Sequence, residues 1–178
     1  MQSAHSIHPP AQEAGQTRQF LTFKLADQEY GLDILSVREI RGWSGVTPLP
    51  NVPDYVRGVI NLRGAIVPII DLRARFGLEA LEYGPATVVI VLRASGAGET
   101  NGLGEFGIVV DAVAEVYSIE TEVIKSTPEF GRRIDRNFVQ GLATLKDKLI
   151  ILLDIDRLLN HDAQRLIADE SRQHTNEE

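Results

Sequence analysis

The chain contains no cysteine, which excludes disulfide bonds and thiolate chemistry. Its four histidines, His5, His8, His161 and His174, lie toward the two ends, so a histidine metal site or a nucleophile–histidine pair has no place to form among the central apolar segments. Positive charge is scarce: a net charge of -7 and a pI near 5.1 argue against nucleic-acid binding. No apolar run approaches the ~20 residues of a membrane helix. These absences predict a cytoplasmic protein with no metal and no cofactor, which binds no nucleic acid and does not insert into a membrane.

Two stretches of the sequence repeat one another without a gap. Val56–Leu72 aligns with Val139–Ile155, and the glycine, the apolar run and the final aspartate occupy equivalent positions in both. Shorter segments repeat in the same order: Tyr30–Leu32 with Phe106–Ile108, and Phe20–Leu25 with Thr87–Leu92. Self-similarity at one spacing, here about 80 residues, indicates a single structural module used twice.

The repeated segments have the pattern of short β-strands. They are apolar runs bounded by glycine, proline or aspartate. Apart from one ambiguous segment at Ser36–Glu39, helical pattern is restricted to a turn after Asp71 and a terminal helix at about 155–168. With 178 residues in all, one repeat alone would bury too little surface, so we expect the two copies to share a hydrophobic core. Many short strands with little helix predict two small β-barrels.

Two local interpretations remain open. Ser36–Glu39 matches a capping box, which predicts a helical turn, whereas its repeat-mate Val113–Val116 has the pattern of a strand. Trp43 precedes a proline-rich connection at 48–53 and is either a core residue or an exposed aromatic contact.

The strongest candidates for catalytic chemistry have simpler structural explanations. Asp71 and Asp154 would have to face one cavity to act as acid and base. Each ends the same strand in its own copy, so the repeat separates them and predicts that they cap the turns that follow. The segment Gly96–Gly104 is rich in glycine, but it lacks the lysine and the following helix of a phosphate-binding loop, so we interpret it as a hairpin loop. Nothing in the sequence indicates an enzyme.

An interaction surface is the remaining candidate for function. Six arginines stand against four acidic residues between positions 31 and 76, and such a positive stretch in an acidic protein steers a partner and fixes its register. Arg63 lies at a turn between two apolar strands, and arginine is a favoured interface anchor. If the barrels pack face to face, Val37, Val113 and Val116 lie near the seam, where a groove accepts an amphipathic helix of a partner. The alternative for these valines is ordinary core packing.

Several segments carry a resemblance to a known family. They are Glu39–Gly42, Val56–Arg73, Gly107–Asp111, Pro128–Phe130 and Gly141–Leu142. From about Gln19 to Leu159 the chain closely resembles the CheW family, the coupling proteins of bacterial chemotaxis. The resemblance implies an all-β fold of two five-stranded β-barrels around a shared hydrophobic core, to which the sequence pattern adds a C-terminal helix.

On this basis we expect the following organisation. A disordered N-terminal tail occupies 1–17, a CheW-like domain occupies 18–160, and a C-terminal helix and tail occupy 155–178. The first barrel spans about 26–84 and the second about 85–154, and the N-terminal strand is a candidate for exchange between them.

The resemblance further implies a non-catalytic adaptor. It would couple the cytoplasmic hairpin tips of chemoreceptors to the histidine kinase CheA, whose regulatory domain has the same fold, and it would help to assemble receptor–kinase arrays. We expect a monomer in isolation, in the cytoplasm, recruited to the inner face of the membrane through receptors. By matched position the implied contact residues are Val37, Glu39 and Arg63 for kinase or receptor; Gly58, Val88, Gly107, Val113 and Val116 in the receptor-facing region; and Lys125 and Phe130 at a second kinase-facing edge. Lys125 stands where arginine is common in the family, and lysine lacks the planar fork with which arginine makes a bidentate contact.

Other functions fit parts of the sequence less well. A small-barrel nucleic-acid binder is opposed by the acidic pI. An enzyme that pairs Asp71 with Asp154 is opposed by the repeat. The same module also occurs as a kinase's regulatory domain or fused to receiver domains, and a small β-barrel binding module in another kinase-signalling pathway is the alternative to chemotaxis. The length of the chain favours the standalone form.

Overall fold

The computed structural model describes residues 15–93, 104–127 and 136–159, and within them the protein is almost entirely β. In chain order the elements are β1 (Thr17–Leu25), β2 (Gln28–Asp33), β3 (Val37–Gly42), β4 (Val56–Leu62), β5 (Ala65–Asp71), α1 (Leu72–Arg75), β6 (Val88–Arg93), β7 (Glu105–Val110), β8 (Ala112–Glu120), β9 (Val139–Leu145), β10 (Lys148–Leu153) and α2 (155–159). Single 3₁₀ turns occupy Ile34–Ser36, Thr121–Val123 and Arg136–Phe138. The predicted all-β fold class is confirmed.

The ten strands form two five-stranded sheets with the same topology. Sheet 1 has the order β3-β6-β7-β5-β4, and sheet 2 has the order β8-β1-β2-β10-β9. Replacing each strand of sheet 1 by its repeat-mate gives sheet 2 strand for strand. In both sheets the neighbours are antiparallel except one central pair, β5 with β7 and β10 with β2. The module inferred from the repeat is therefore present twice.

The two halves of the chain exchange strands. The first two strands, β1 and β2, lie in sheet 2 with β8–β10, while β6 and β7 lie in sheet 1 with β3–β5. The predicted barrel limits, 26–84 and 85–154, therefore do not coincide with the sheets, because two strands cross over in each direction. Exchange of the N-terminal strand was expected, but the whole β1–β2 hairpin takes part.

The expectation of closed barrels is wrong. Within the described residues, the two edge strands of each sheet form no ladder with one another. In sheet 1 the gap is spanned by one bridge, in which Thr47 and Val59 exchange two backbone hydrogen bonds of 2.9 Å. Pro48 follows directly, and proline has no N–H with which to extend a ladder. In sheet 2 an equivalent single bridge joins Lys125 to Leu142.

Three hydrophobic cores hold the sheets, and strand β6 shows how they are separated. Its residues Ile90 and Leu92 face a core shared by both sheets, whereas Val89 and Val91 face a second core inside sheet 1. The remaining core lies inside sheet 2 and includes Phe20. A strand that is covered on both faces needs apolar residues at every position, which explains the unbroken run of valine, isoleucine and leucine. The predicted shared core is confirmed.

The aspartates at the ends of the repeated strands are capping residues, as predicted. Asp71 Oδ1 accepts a hydrogen bond of 3.2 Å from the backbone N–H of Ala74 at the start of α1. In the second copy, Asp154 Oδ1 accepts one of 3.1 Å from the N–H of Arg157 in α2. A carboxylate in this position satisfies a helix N–H that has no partner inside the helix.

The helical interpretation of Ser36–Glu39 is wrong, and the strand interpretation is correct. Asp33, rather than Ser36, is the capping residue: its side chain accepts from Leu35 N, and the resulting 3₁₀ turn ends at Ser36. β3 then pairs with β6 from Val37 onward.

Some predictions concern residues outside the described part of the chain. These are positions 1–14 of the predicted tail, most of the Gly96–Gly104 loop, Phe130, and the terminal helix beyond residue 159. In the part of the chain that the structure describes, no helix has both the length and the apolar character needed to cross a bilayer.

Candidate functional site

Arg63 lies at the tip of the hairpin between β4 and β5. The two turn residues, Arg63 and Gly64, have φ angles of 50° and 85°, which matches the two-residue turn that the twist of antiparallel strands favours. The side chain of Asn61 secures the turn by accepting a hydrogen bond of 2.9 Å from Gly64 N–H. The tip is therefore well defined, and the Arg63 side chain on it is 72% exposed.

Glu39 is brought to Arg63 by the curvature of sheet 1. The two residues belong to opposite edges of the sheet, yet Arg63 Nη1 lies 3.1 Å from Glu39 Oε2. The contact joins two charges without an aligned hydrogen bond, and Glu39 Oε2 is buried with no hydrogen-bond donor among the described residues. Two of the predicted contact residues thus form one polar patch, which we call the Arg63–Glu39 patch.

Three of the predicted valines lie at the border of the shared core. Val37, Val88 and Val113 are partly buried and pack against that core from β3, β6 and β8. Val116, which was predicted to lie with them at the seam, is 48% exposed on β8 and is not among the residues that pack there. We call these four residues the valine rim.

Gly58 and Gly107 are buried and offer no side-chain surface. Gly58 has a φ of 144°, and a Cβ atom there would lie 2.1 Å from the carbonyl oxygen of Thr47. At Gly107 a Cβ atom would lie 2.4 Å from Ile69 Cδ1, inside sheet 1. Substitution of either glycine would therefore change the shape of sheet 1 rather than its side-chain surface.

Lys125 is held at the edge of sheet 2, where its backbone exchanges hydrogen bonds of 2.9 and 2.8 Å with Leu142. Its side chain is exposed. Gly141, the repeat-mate of Gly58, makes room for this contact, because a Cβ there would lie 2.9 Å from Lys125 O. A role for Lys125 as a second kinase-facing edge stays a prediction, and its predicted companion Phe130 is outside the described residues.

A bidentate ion pair between Arg73 and Asp111 was missed by the sequence analysis. Arg73 Nε and Nη2 each donate a hydrogen bond of 2.7 Å to the carboxylate, and Ala26 N–H donates a third of 2.8 Å. Burial raises the pKa of Asp111, but the hydrogen bonds from Arg73 and Ala26, with the charge of Arg73, outweigh it and leave that pKa below its usual value. The same bond to Asp111 raises the pKa of Arg73. Both residues lie in segments that match the family, Val56–Arg73 and Gly107–Asp111, but nothing in the sequence indicated that they pair.

A second polar network closes the end of sheet 1. Tyr83 donates a short hydrogen bond to Asp71 Oδ2, which also lies 3.3 Å from Arg57 Nη2. Burial, followed by the bond to Asp71, raises the pKa of Tyr83 well above its usual value. The ring of Tyr83 packs on Trp43 at 4.3 Å between centroids, so Trp43 packs against the core of sheet 1.

Sheet 2 has a hairpin tip equivalent to that of Arg63, with different chemistry. Lys146 has a φ of 48° and lies over the ring of Tyr117, whose hydroxyl donates to Glu115. Nearby, Glu29 is buried; its Oε1 has no hydrogen-bond partner among the described residues and its Oε2 lies 3.8 Å from Lys148 Nζ. A binding role was predicted for the tip of sheet 1 alone.

The arrangement offers surfaces on which another polypeptide can bind. Within the described ranges there is no group of three or more histidine, cysteine or acidic residues that could hold a metal ion. The Arg63–Glu39 patch can recognise another polypeptide by charge. The valine rim can recognise one by apolar contact.

Comparison with known proteins points to one family. A family model described as the CheW-like domain matches residues 19–163. The chain is 43% identical over 163 residues to the chemotaxis protein CheW of Klebsiella aerogenes, covering 90% of this chain and 94% of that protein. It is 37% identical over 139 residues to the chemotaxis protein CheW of Rhizobium meliloti, covering 78% and 85%.

A solved structure agrees with this. The crystal structure of the scaffolding protein TtCheW from Thermoanaerobacter tengcongensis is similar with a TM-score of 0.69 and 33% sequence identity, covering 86% of this chain and 91% of that chain. The likeness spans both sheets and most of the length of the chain, so it concerns the whole duplicated module. The chain belongs to the CheW family of chemotaxis adaptor proteins.

Proposed function

We propose that this protein is a non-catalytic adaptor that couples the cytoplasmic tips of chemoreceptors to the histidine kinase CheA. It would work in the cytoplasm, recruited to the inner face of the membrane through the receptors, and help to assemble receptor–kinase arrays. Membership of the CheW family supports the adaptor role. The Arg63–Glu39 patch is the observation from which we propose the kinase-binding surface.

The patch has little to contribute to stability and much to offer a partner. An exposed ion pair is worth about 0–1 kcal/mol, because water and salt screen it. The guanidinium of Arg63 carries five donors in a planar fork, whereas the contact to Glu39 uses Nη1. Glu39 Oε2 in turn accepts no aligned hydrogen bond among the described residues. The exposed guanidinium of Arg63 therefore has donors left to bind acidic groups on a kinase domain, while Glu39, whose Oε2 is buried, holds the guanidinium in place.

The valine rim suits the other partner. A receptor tip is a helical hairpin, and an amphipathic helix docks its apolar face against apolar side chains. Three of the rim valines are anchored against the shared core, so their positions are fixed before binding, and Val116 adds exposed apolar surface. A preorganised surface loses less conformational entropy on binding.

Neither contact needs to be strong. A micromolar contact, about −8 kcal/mol, suffices when many copies are held in one array, because each further contact forms at a high effective concentration. Small surfaces such as the patch and the rim are adequate for this purpose.

The experiment that tests the proposal is a kinase assay reconstituted from receptor, CheA and this protein. Arg63→Glu should unfold at nearly the same urea concentration as the wild type, within about 1 kcal/mol, and should lose kinase activation. The double variant Arg63→Glu with Glu39→Arg restores the internal ion pair but presents reversed charges to the kinase, so it should remain inactive.

Lys146→Glu is the matched control, because Lys146 is the equivalent tip residue of sheet 2. It should keep kinase activation. Full activity of Arg63→Glu would show that the patch is not the kinase-binding surface, and recovery of activity in the double variant would show that the pair acts only within the chain.

A further inference from the structure

The chain passes between the two sheets at Asp111. β7 ends in sheet 1 at Val110 and β8 begins in sheet 2 at Ala112, so one residue makes the crossing. The backbone N–H of Asp111 donates a hydrogen bond of 3.1 Å to Lys24 O, which fixes the crossing to the β1–β2 hairpin of sheet 2.

The side chain of Asp111 joins three elements at this crossing. Its carboxylate accepts both hydrogen bonds from Arg73, which belongs to α1 directly after β5 of sheet 1. It also accepts the backbone N–H of Ala26 in the β1–β2 turn of sheet 2. Arg73 Nη1 donates a further hydrogen bond of 2.7 Å to Glu79 O, which holds the guanidinium from its other side.

This geometry is stiffer than that of an ordinary surface pair. The side chains of Arg73 and Asp111 are only 15% and 19% exposed, so salt and water screen them less than an exposed pair. Two parallel N–H···O bonds fix the orientation of both groups as well as their distance. By contrast, the pair Arg18–Asp33 stays within sheet 2 and the pair Arg57–Asp71 within sheet 1.

The Arg73–Asp111 pair is linked along the chain to both candidate surfaces, with Arg73 at the end of β5 opposite to the Arg63 tip. Arg73 follows β5, whose hairpin with β4 carries Arg63. Asp111 precedes β8, which carries Val113 and Val116 of the valine rim. The pair therefore lies on a continuous path that runs from β8 through α1 and along β5 to the hairpin of the Arg63–Glu39 patch.

We propose that the Arg73–Asp111 pair is a positioning joint through which receptor binding at the valine rim raises the affinity of the Arg63–Glu39 patch for CheA. The inference rests on the proposed function and adds the physical link between its two surfaces. Coupling of this kind is reciprocal: CheA strengthens receptor binding by the same factor. Arg73 and Asp111 contact neither partner and act by fixing one sheet against the other.

The test is the affinity of the purified full chain for the CheA regulatory domain, measured by calorimetry with and without a saturating receptor hairpin fragment. In the wild type the fragment should tighten CheA binding at least ~5-fold. In Arg73→Lys, which keeps the charge but loses the fork, and in Asp111→Asn, the factor should fall below about twofold, while the affinity for each partner alone changes less than about twofold.

Arg157→Lys is the matched control, because Arg157 pairs with Asp154 at the equivalent strand end of sheet 2 and is 64% exposed. It should keep the wild-type factor. A purely structural role for Arg73 would lower both separate affinities together and leave the factor unchanged. If the variants fail to fold, hydrogen exchange in the wild type decides: the receptor fragment should slow exchange of the Ala26 and Asp111 amides.

Each outcome separates the inference from the proposed function. Suppose that both partners bind. If the receptor fragment does not tighten CheA binding in the wild type, or tightens it equally in the wild type and both variants, the joint does not exist. In the absence of foldable variants, unchanged exchange at Ala26 and Asp111 has the same meaning. If the wild type binds neither partner, the proposed function fails, and the inference with it.

Discussion

Replacement of Gly58 by alanine should destabilise sheet 1 far more than replacement of Gly64 or Gly42. The φ of 144° is a conformation that costs a residue with a side chain about 1–3 kcal/mol. The added Cβ would also lie 2.1 Å from Thr47 O, so the bridge must open, and its two backbone hydrogen bonds to Val59 contribute about 1 kcal/mol each. The total is about 3–5 kcal/mol, a large part of the ~5–15 kcal/mol that stabilises a typical domain.

Two other glycines separate the contributions. Gly64 has a φ of 85°, but no described atom lies within 4 Å of the position that a Cβ would take, so Gly64→Ala should cost about 1–2 kcal/mol from backbone strain alone. Gly42 has neither a positive φ nor a close neighbour, so Gly42→Ala should change stability by less than about 0.5 kcal/mol. The difference between Gly58→Ala and Gly64→Ala measures the loss of the Thr47–Val59 bridge.

The assay is urea unfolding followed by the fluorescence of Trp43, the single tryptophan of the chain. Trp43 packs against the core of sheet 1 close to the bridge, so its emission reports on this region. The midpoints should fall in the order Gly42→Ala, Gly64→Ala, Gly58→Ala. A Gly58→Ala variant no less stable than Gly64→Ala would refute the claim that the bridge fixes the edge of sheet 1.

Two further predictions concern buried charge. Glu29→Met should stabilise the protein by about 1 kcal/mol in urea unfolding, because it removes a buried carboxylate whose Oε1 has no partner among the described residues and whose Lys148 contact is 3.8 Å long. The stability of Glu29→Gln should lie between those of the wild type and Glu29→Met. A destabilised Glu29→Met would show that the carboxylate is satisfied in solution. Folding lowers the pKa of Asp111, so its carboxylate stabilises the folded protein at pH values above its pKa in the unfolded chain. That stabilisation is lost as the pH falls through its lower pKa in the folded protein. The difference in unfolding free energy between wild type and Asp111→Asn should therefore be largest at neutral pH and shrink on acidification toward about pH 2, and a constant difference would contradict the assignment.

The sequence predicts the local structure of this protein well, because each repeated segment can be interpreted together with its equivalent in the other copy. The strand interpretation of Ser36–Glu39 came from its repeat-mate and is correct from Val37 onward, whereas the capping-box pattern at Ser36 was misleading because Asp33 caps the turn instead. The capping roles of Asp71 and Asp154 also followed from their equivalent positions.

The exchange of strands could not be predicted from pattern. β6 is apolar on both faces, so its residues fit the interior of either sheet, and pairing such as that of β10 with β2 joins segments far apart in sequence. The same is true of the site. Arg63 could be identified as a turn residue, but its contact with Glu39 depends on the curvature of sheet 1, and the Arg73–Asp111 pair depends on where the chain crosses between the sheets.

The central claim is that one rigid, duplicated module holds two different partners at separate surfaces. Size-exclusion chromatography with light scattering, on a mixture of this protein, CheA and a receptor hairpin fragment, tests it most directly. We expect a ternary complex whose mass contains all three components, and the loss of CheA alone from that complex in Arg63→Glu. Mutually exclusive complexes, in which the receptor fragment displaces CheA, would contradict the claim.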